Sequence, residues 1–360
     1  MRKAVIPLLA SAALLAACSG DTPLSPTDRI GQTADGPSLD LASGSAAAGV
    51  TVGRVALVAR DGTRPALYVQ NADGSGRIRI HFGDLKDDVE GNYTQAQLPV
   101  DDDHIVAIRN PRWSPDGTQL AVVVSAAYDQ SEVIVVNADG TNGRVMSNNA
   151  QYIISAPHWS PDGSLLTYTM STRPFVLGLD LFETRLATST VRRITTGFGD
   201  PTFVVWSADG HSLVVGKGTG STYDPVFNFV SMVGLVDPAS GAVQPVRTGI
   251  IGQVYGLARS AAWALVLRNG ESDGSASVSD VVRQPVVGYA PTVRIASGTN
   301  IVSARLLGTE RHALIEREVS GRSGESAPQW TIVNVETGAG VVLPGLEAGV
   351  SQIDPYVTVR

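Results

Sequence analysis

Side chains able to do chemistry are few in this 360-residue sequence, and they are scattered. Five histidines could act as bases or metal ligands: His81, His104, His158, His211 and His312. No two of them stand at metal-ligand spacing, so no metal site is expected. His158 and His211 flank tryptophans and are read as structural, with catalysis as the alternative. Neither a hydrolase nucleophile elbow nor a phosphate-cradling loop is read in the chain. The Asp-Gly turns at Asn71–Gly74 and Asn137–Gly140 offer carboxylates. A calcium loop would add alternating acidic ligands and a Glu at the twelfth position, which Asn71–Phe82 and Asn137–Asn148 do not supply. The acidic run Asp84, Asp87, Asp88, Glu90 and Asp101–Asp103 reads as a solvated connection; contact with a cation or a basic partner is the alternative. The expectation is therefore a protein that is not an enzyme and has no cofactor.

One thiol stands apart. Cys18 is the only cysteine, so no disulfide can form within the chain. Arg2 and Lys3 precede an apolar run from Ala4 to Ala17, too short for a permanent span and suited to a signal-peptide core. The run ends Leu15-Ala16-Ala17-Cys18, which resembles the bacterial lipobox. That resemblance implies cleavage before Cys18, lipid on its thiol, and membrane attachment through acyl chains. Ser19 follows, and in lipoproteins of diderm bacteria a residue other than Asp there implies sorting to the outer membrane. Residues 1–17 are read as the signal peptide. Residues 18–49 are read as lipidated Cys and tether, too poor in apolar residues to offset their ordering entropy.

From residue 50 to 360 the chain is organised by a repeat. Trp113-Ser114-Pro115-Asp116-Gly117, Trp159-Ser160-Pro161-Asp162-Gly163 and Trp206-Ser207-Ala208-Asp209-Gly210 each lead into an apolar strand, with the tryptophans 46 and 47 residues apart. A Val- and Ile-rich repeat of that length marks a β-propeller blade. Within it, a Trp-bearing strand ends in a hairpin turn and a strand such as Leu120–Val124 or Leu165–Thr169 follows. A variable loop, a third strand such as Val133–Val136, a second tight turn and a fourth strand complete the unit. The second turn recurs at Asn71–Gly74, Asn137–Gly140, Asp237–Gly241 and Asn334–Gly338, and more faintly near Glu183–Thr188 and Val287–Pro291. Six such turns predict an all-β, six-bladed propeller of four-stranded blades.

Blades five and six lose the Trp phrase: Leu257–Leu267 and Leu306–Ile315 occupy its place, and Trp263 and Trp330 are read as packing residues. Blade one begins at Val55–Ala59 with no inner strand, and Gly349–Val359 has no blade of its own. The C-terminal segment is therefore expected to close the ring as the missing inner strand.

The Trp-Ser-Pro-Asp-Gly phrase, with Asn-Ala-Asp-Gly about 24 residues on, resembles the WD40-like repeat of the TolB family from Val50 to Arg360. The resemblance implies a propeller of the bacterial cell envelope. Two departures set the chain apart: TolB carries an α/β domain where this chain has a tether, and TolB is soluble. A TolB-like lipoprotein other than TolB itself is expected.

A net charge of −7 argues against a nucleic-acid partner. Strand alternation puts both kinds of short turn on one face of the ring and the long, irregular loops on the other. Binding residues favour such loops. Interface anchors there are Tyr93, Tyr128, Arg173, Phe175, Tyr223, Phe227, Arg268 and Arg322. The function expected is non-enzymatic binding of an envelope protein or peptide at the loop face or central channel, by a monomer on the outer membrane facing the periplasm. The alternatives are a lyase or hydrolase, or a carbohydrate or small-ligand binder, with its site in the channel.

Overall fold

Runs such as Leu120–Val124 are apolar at every position because both faces of each strand are covered. Leu120, Val122 and Val124 pack toward one neighbouring sheet, and Ala121 and Val123 toward the other. The computed structural model describes residues 50–82, 105–127, 130–147, 156–171, 179–199, 201–218, 229–269, 278–308, 310–320, 326–344, 346 and 349–359. The expected signal peptide, Cys18, the tether, His104 and the whole acidic run lie outside them. So do Tyr93, Tyr128, Arg173, Phe175, Tyr223, Phe227 and Arg322.

Six antiparallel blades of four strands form a ring, with no helix among the described residues. Blade one contains β1 (Val50–Asp61), β2 (Arg64–Asn71) and β3 (Ile78–Ile80). Blade two is β4 (Ala107–Trp113), β5 (Gln119–Ala127), β6 (Gln130–Asn137) and β7 (Arg144–Val145). Blade three is β8 (His158–Trp159), β9 (Leu165–Met170), β10 (Asp180–Arg185) and β11 (Thr190–Arg193). Blade four is β12 (Pro201–Trp206), β13 (Leu213–Gly218), β14 (Phe229–Val236) and β15 (Val243–Leu257). Blade five reuses the end of β15 and adds β16 (Trp263–Asn269), β17 (Val278–Pro285) and β18 (Val293–Thr299). Blade six is β19 (Ile301–Leu306), β20 (His312–Ser320), β21 (Ser326–Asn334) and β22 (Gly340–Val342).

The shared strand is a detail the repeat did not disclose. β15 pairs with β14 as far as Gln253 and with β16 from Val254 onward, so it is outermost in blade four and innermost in blade five. Gly249, at φ 102°, lies within this long strand.

Six apolar clusters fill the ring, one at each seam between blades. Trp330 is buried at the seam of blades six and one, and Trp263 packs at that of five and six, in the packing roles expected of them.

The last strand, β23 (Val350–Val359), closes the ring. It pairs antiparallel with β1 on the inner side of blade one, setting Val55 opposite Pro355 and Leu57 opposite Ile353. Closure leaves blade one without an open inner edge. β23 also grips blade two. Trp113 donates its backbone N–H to Asp354 Oδ2 at 2.8 Å and its indole N–H to the Asp354 carbonyl at 2.8 Å. The Asn110 N–H donates to Gln352 Oε1 at 2.6 Å.

Ser and Asp of the repeated phrase serve its turn. In blade two, Ser114 Oγ donates to Asp116 Oδ1 at 2.6 Å and accepts from the Gln119 N–H at 2.9 Å. Blades three and four repeat this with Ser160 and Asp162, and with Ser207 and Asp209. Hydrogen bonds, led by the one from Ser, hold Asp116, Asp162 and Asp209 below the usual carboxylate range. Gly117 has φ 69°, and a Cβ there would sit 2.5 Å from the Tyr356 ring, so this turn needs glycine twice over. The two kinds of turn do share one face: the Ala138 N–H bonds the Thr118 carbonyl at 2.9 Å, and the Val335 N–H the Arg311 carbonyl at 2.9 Å.

Candidate functional site in the central channel

Where a phrase Trp turns into a seam, the residue before it faces the other way, toward the axis. Those preceding residues are Arg112 in blade two, His158 in blade three, Val205 in blade four, Gly256 in blade five and Arg305 in blade six. They line a cavity of about 520 Å³ at the end of the channel where the short turns lie. Pro115, Pro157, Pro161, Tyr255, Leu307 and Tyr356 provide apolar wall.

Loss of the phrase in blades five and six turns out to supply charge. The turn keeps its geometry: the Ala258 N–H bonds the Trp263 carbonyl at 3.0 Å and the Leu307 N–H the His312 carbonyl at 2.9 Å, as the Ser114 N–H bonds Gln119. Arg259 thus occupies the position held by Pro115 and Pro161. Glu310 occupies the position of Gly117, with φ 56° in place of glycine's 69°. The two meet, for the Arg259 backbone N–H donates to Glu310 Oε1, while Arg259 Nε donates to the Trp206 carbonyl at 3.1 Å. Burial raises the Glu310 carboxyl above its ordinary value, against the pull of Arg259.

Asp354 is the second carboxylate of the cavity and is nearly inaccessible, at 5% exposure. Its Oδ1 accepts from Arg305 Nη1 at 2.7 Å, and Arg305 Nη2 reaches the Ile353 carbonyl at 2.9 Å. With its Oδ2 on the Trp113 N–H, one carboxylate ties blades six, one and two together.

Arg112 is differently placed. It follows a bulge in β4 at Asn110–Pro111, where Asn110 takes φ 54°; bulges commonly re-aim a side chain. Among the described residues its guanidinium donates to one acceptor, the Pro111 carbonyl at 2.8 Å, and has no carboxylate at ion-pair distance. Burial first, and then the Arg305 charge, lowers its pKa to about 9, against the pull of the Asp354 carboxylate. His158 is pushed down to about 3 by burial and by Arg112, Arg305 and Arg259, so it is neutral at pH 7. Among the described residues no three His, Cys, Asp or Glu side chains are grouped to hold a metal ion.

Of the interface anchors expected from the sequence, Arg268 lies within the described residues. It is exposed near the end of β16, donates to Gln284 Oε1 at 2.8 Å and does not line the channel. Gly270-Glu271-Ser272-Asp273-Gly274 does carry the letter spacing of a hydrolase elbow, a correction to the reading that the chain has none. The string lies outside the described residues. It connects β16 to β17, two antiparallel strands, whereas an elbow connects a strand to a helix. Apart from His158, read as structural, the charged channel residues Arg112, Arg259, Arg305, Glu310 and Asp354 are not singled out by the sequence. Their available signal was the position just before the phrase Trp, twice basic as Arg112 and His158.

No family model matches the chain, and no curated protein matches it. Solved structures do. TolB from Acinetobacter baumannii superposes with a TM-score of 0.55 at 16% identity, covering 84% of this chain and 66% of that one. A structure described as TolB from Agrobacterium tumefaciens gives 0.37 at 14% identity, over 84% and 89% of the two chains. The β-propeller domain of the Trilobed protease from Pyrococcus furiosus gives 0.40 at 12% identity, over 66% and 70%. The likeness to the A. baumannii protein establishes a TolB-like propeller fold; at this identity it extends no further than the fold.

Proposed function

We propose that this protein is a non-enzymatic lipoprotein of the bacterial cell envelope whose propeller captures a segment of a protein partner in its central channel. The observation that carries the reading is the channel cavity. It is concave, has mostly apolar and proline walls, and holds a few convergent polar groups, the usual make-up of a binding site. Its volume of about 520 Å³ suits a few side chains of an inserted segment. Asp354 is held for position, with one oxygen on Arg305 and the other on the Trp113 N–H. Envelope location and lipid attachment rest on Cys18 and the apolar run before it. The TolB-like fold is compatible with them.

The test is site-specific photo-crosslinking in the native envelope. A photoreactive residue at Pro157, on the channel wall, should yield a discrete adduct. The same residue at Ile78, exposed on β3, should not. A probe at Arg268 reports on the loop face. An adduct from Arg268 with none from Pro157 would move the binding surface to that face and sink the channel reading. Cys18→Ala should shift the protein from the membrane to the soluble fraction.

A further inference from the structure

We infer that the segment bound in the channel presents an acidic side chain or a terminal carboxylate, which docks on Arg112 between Arg305 and Arg259; this rests on the channel reading above. Three guanidinium groups line the cavity against two carboxylates, and both carboxylates are already engaged. Asp354 serves Arg305 and the Trp113 N–H, and Glu310 serves the Arg259 backbone N–H. Arg112 is left over. A guanidinium carries five N–H donors, and among the described residues that of Arg112 has the Pro111 carbonyl as acceptor. Asp354 acts on Arg112 as a neighbouring charge without a hydrogen bond to it. A withdrawn guanidinium whose donors are left unmet is costly, so this arrangement is completed by an anion rather than by more protein. The Arg fork matches a carboxylate through two parallel hydrogen bonds. Neutral His158 beside it can add a donor or an acceptor without adding charge.

A peptide fits the surroundings better than a small free anion does. Pro115 and Pro161 belong to the turns at the mouth, whereas Arg112 and Arg305 stand on the strands inside it. A small hydrophilic anion would fill the inner part and leave the proline and tyrosine walls wet. A chain with one acid and apolar neighbours covers both.

The full-length protein in detergent is applied to an array of random hexapeptides carrying Glu or its isostere Gln at one fixed position. Wild type should prefer Glu peptides by roughly tenfold or more, as expected for a buried charge-assisted pair. Arg112→Gln should abolish the preference, Arg112→Lys should restore part of it, and Arg60→Gln, on the exposed end of β1, should leave it intact. Inorganic phosphate should compete only at concentrations far above the peptide's. Glu and Gln peptides bound equally by wild type would overturn the inference while leaving channel binding in place, and no folded variant is needed for that comparison. Phosphate competing as well as the peptide would overturn the choice of a peptide. An array that binds nothing, together with no adduct at Pro157, would overturn both this inference and the channel reading.

Discussion

Replacing Asp354 by alanine should open the ring at its closure. The carboxylate is 8% exposed at its side chain and its partner Arg305 is 24% exposed. The substitution removes the 2.7 Å ion pair to blade six and the 2.8 Å acceptor for the Trp113 N–H of blade two. Removing one member of a buried pair typically costs about 3–5 kcal/mol, because the other charge stays buried alone. Arg305 retains some solvent and its bond to the Ile353 carbonyl, so we place Asp354→Ala at the lower end, about 3 kcal/mol. Asp354→Asn keeps an oxygen for the Trp113 N–H and should cost about half as much. Adding Arg305→Met to Asp354→Ala removes the stranded charge, so the double variant should be at least about 1 kcal/mol more stable than the two single losses summed. Urea unfolding followed by both tryptophan fluorescence and circular dichroism measures each value and checks that the transitions coincide. An Asp354→Ala protein within about 0.5 kcal/mol of wild type, the range of ordinary surface changes, would refute the clamp. So would strict additivity with Arg305→Met.

The phrase tryptophans should not be equivalent. Trp113 and Trp159 donate to the preceding blade, at 2.8 Å to the Asp354 carbonyl and 3.1 Å to the Arg112 carbonyl, whereas Trp206 Nε1 is buried without a partner among the described residues. Trp→Phe at 113 or 159 should therefore cost about 1 kcal/mol more than at 206, where it also removes an unsatisfied donor. Equal losses in urea unfolding would contradict this. His158 makes stability depend on pH. Its pKa falls from 6.5 to about 3 on folding, so its contribution is complete above pH 6.5 and is lost as pH drops through that window. His158→Gln should flatten the decline between about pH 6.5 and 4, and a variant curve parallel to wild type across that range would show that the histidine is not held neutral.

What the sequence by itself determined is the architecture, because local chemistry repeats it. Ser-Pro-Asp-Gly closes its own turn through Ser114 and Asp116, and strands buried on both faces read as unbroken apolar runs such as Leu120–Val124. The unpartnered ends, Val55–Ala59 and Gly349–Val359, implied the closure that β1 and β23 make. The fusion of blades four and five through β15 escaped notice, since nothing local marks a strand that changes partners midway. The site was decided by tertiary structure. Arg112, His158, Arg259, Arg305 and Asp354 sit on separate blades, and Trp113 and Asp354 are 241 residues apart. Each is unremarkable in its own segment. Bending the sheets into a closed ring turns the residue before each phrase Trp toward one axis, and convergence there buries charges that would be solvated anywhere else on the chain.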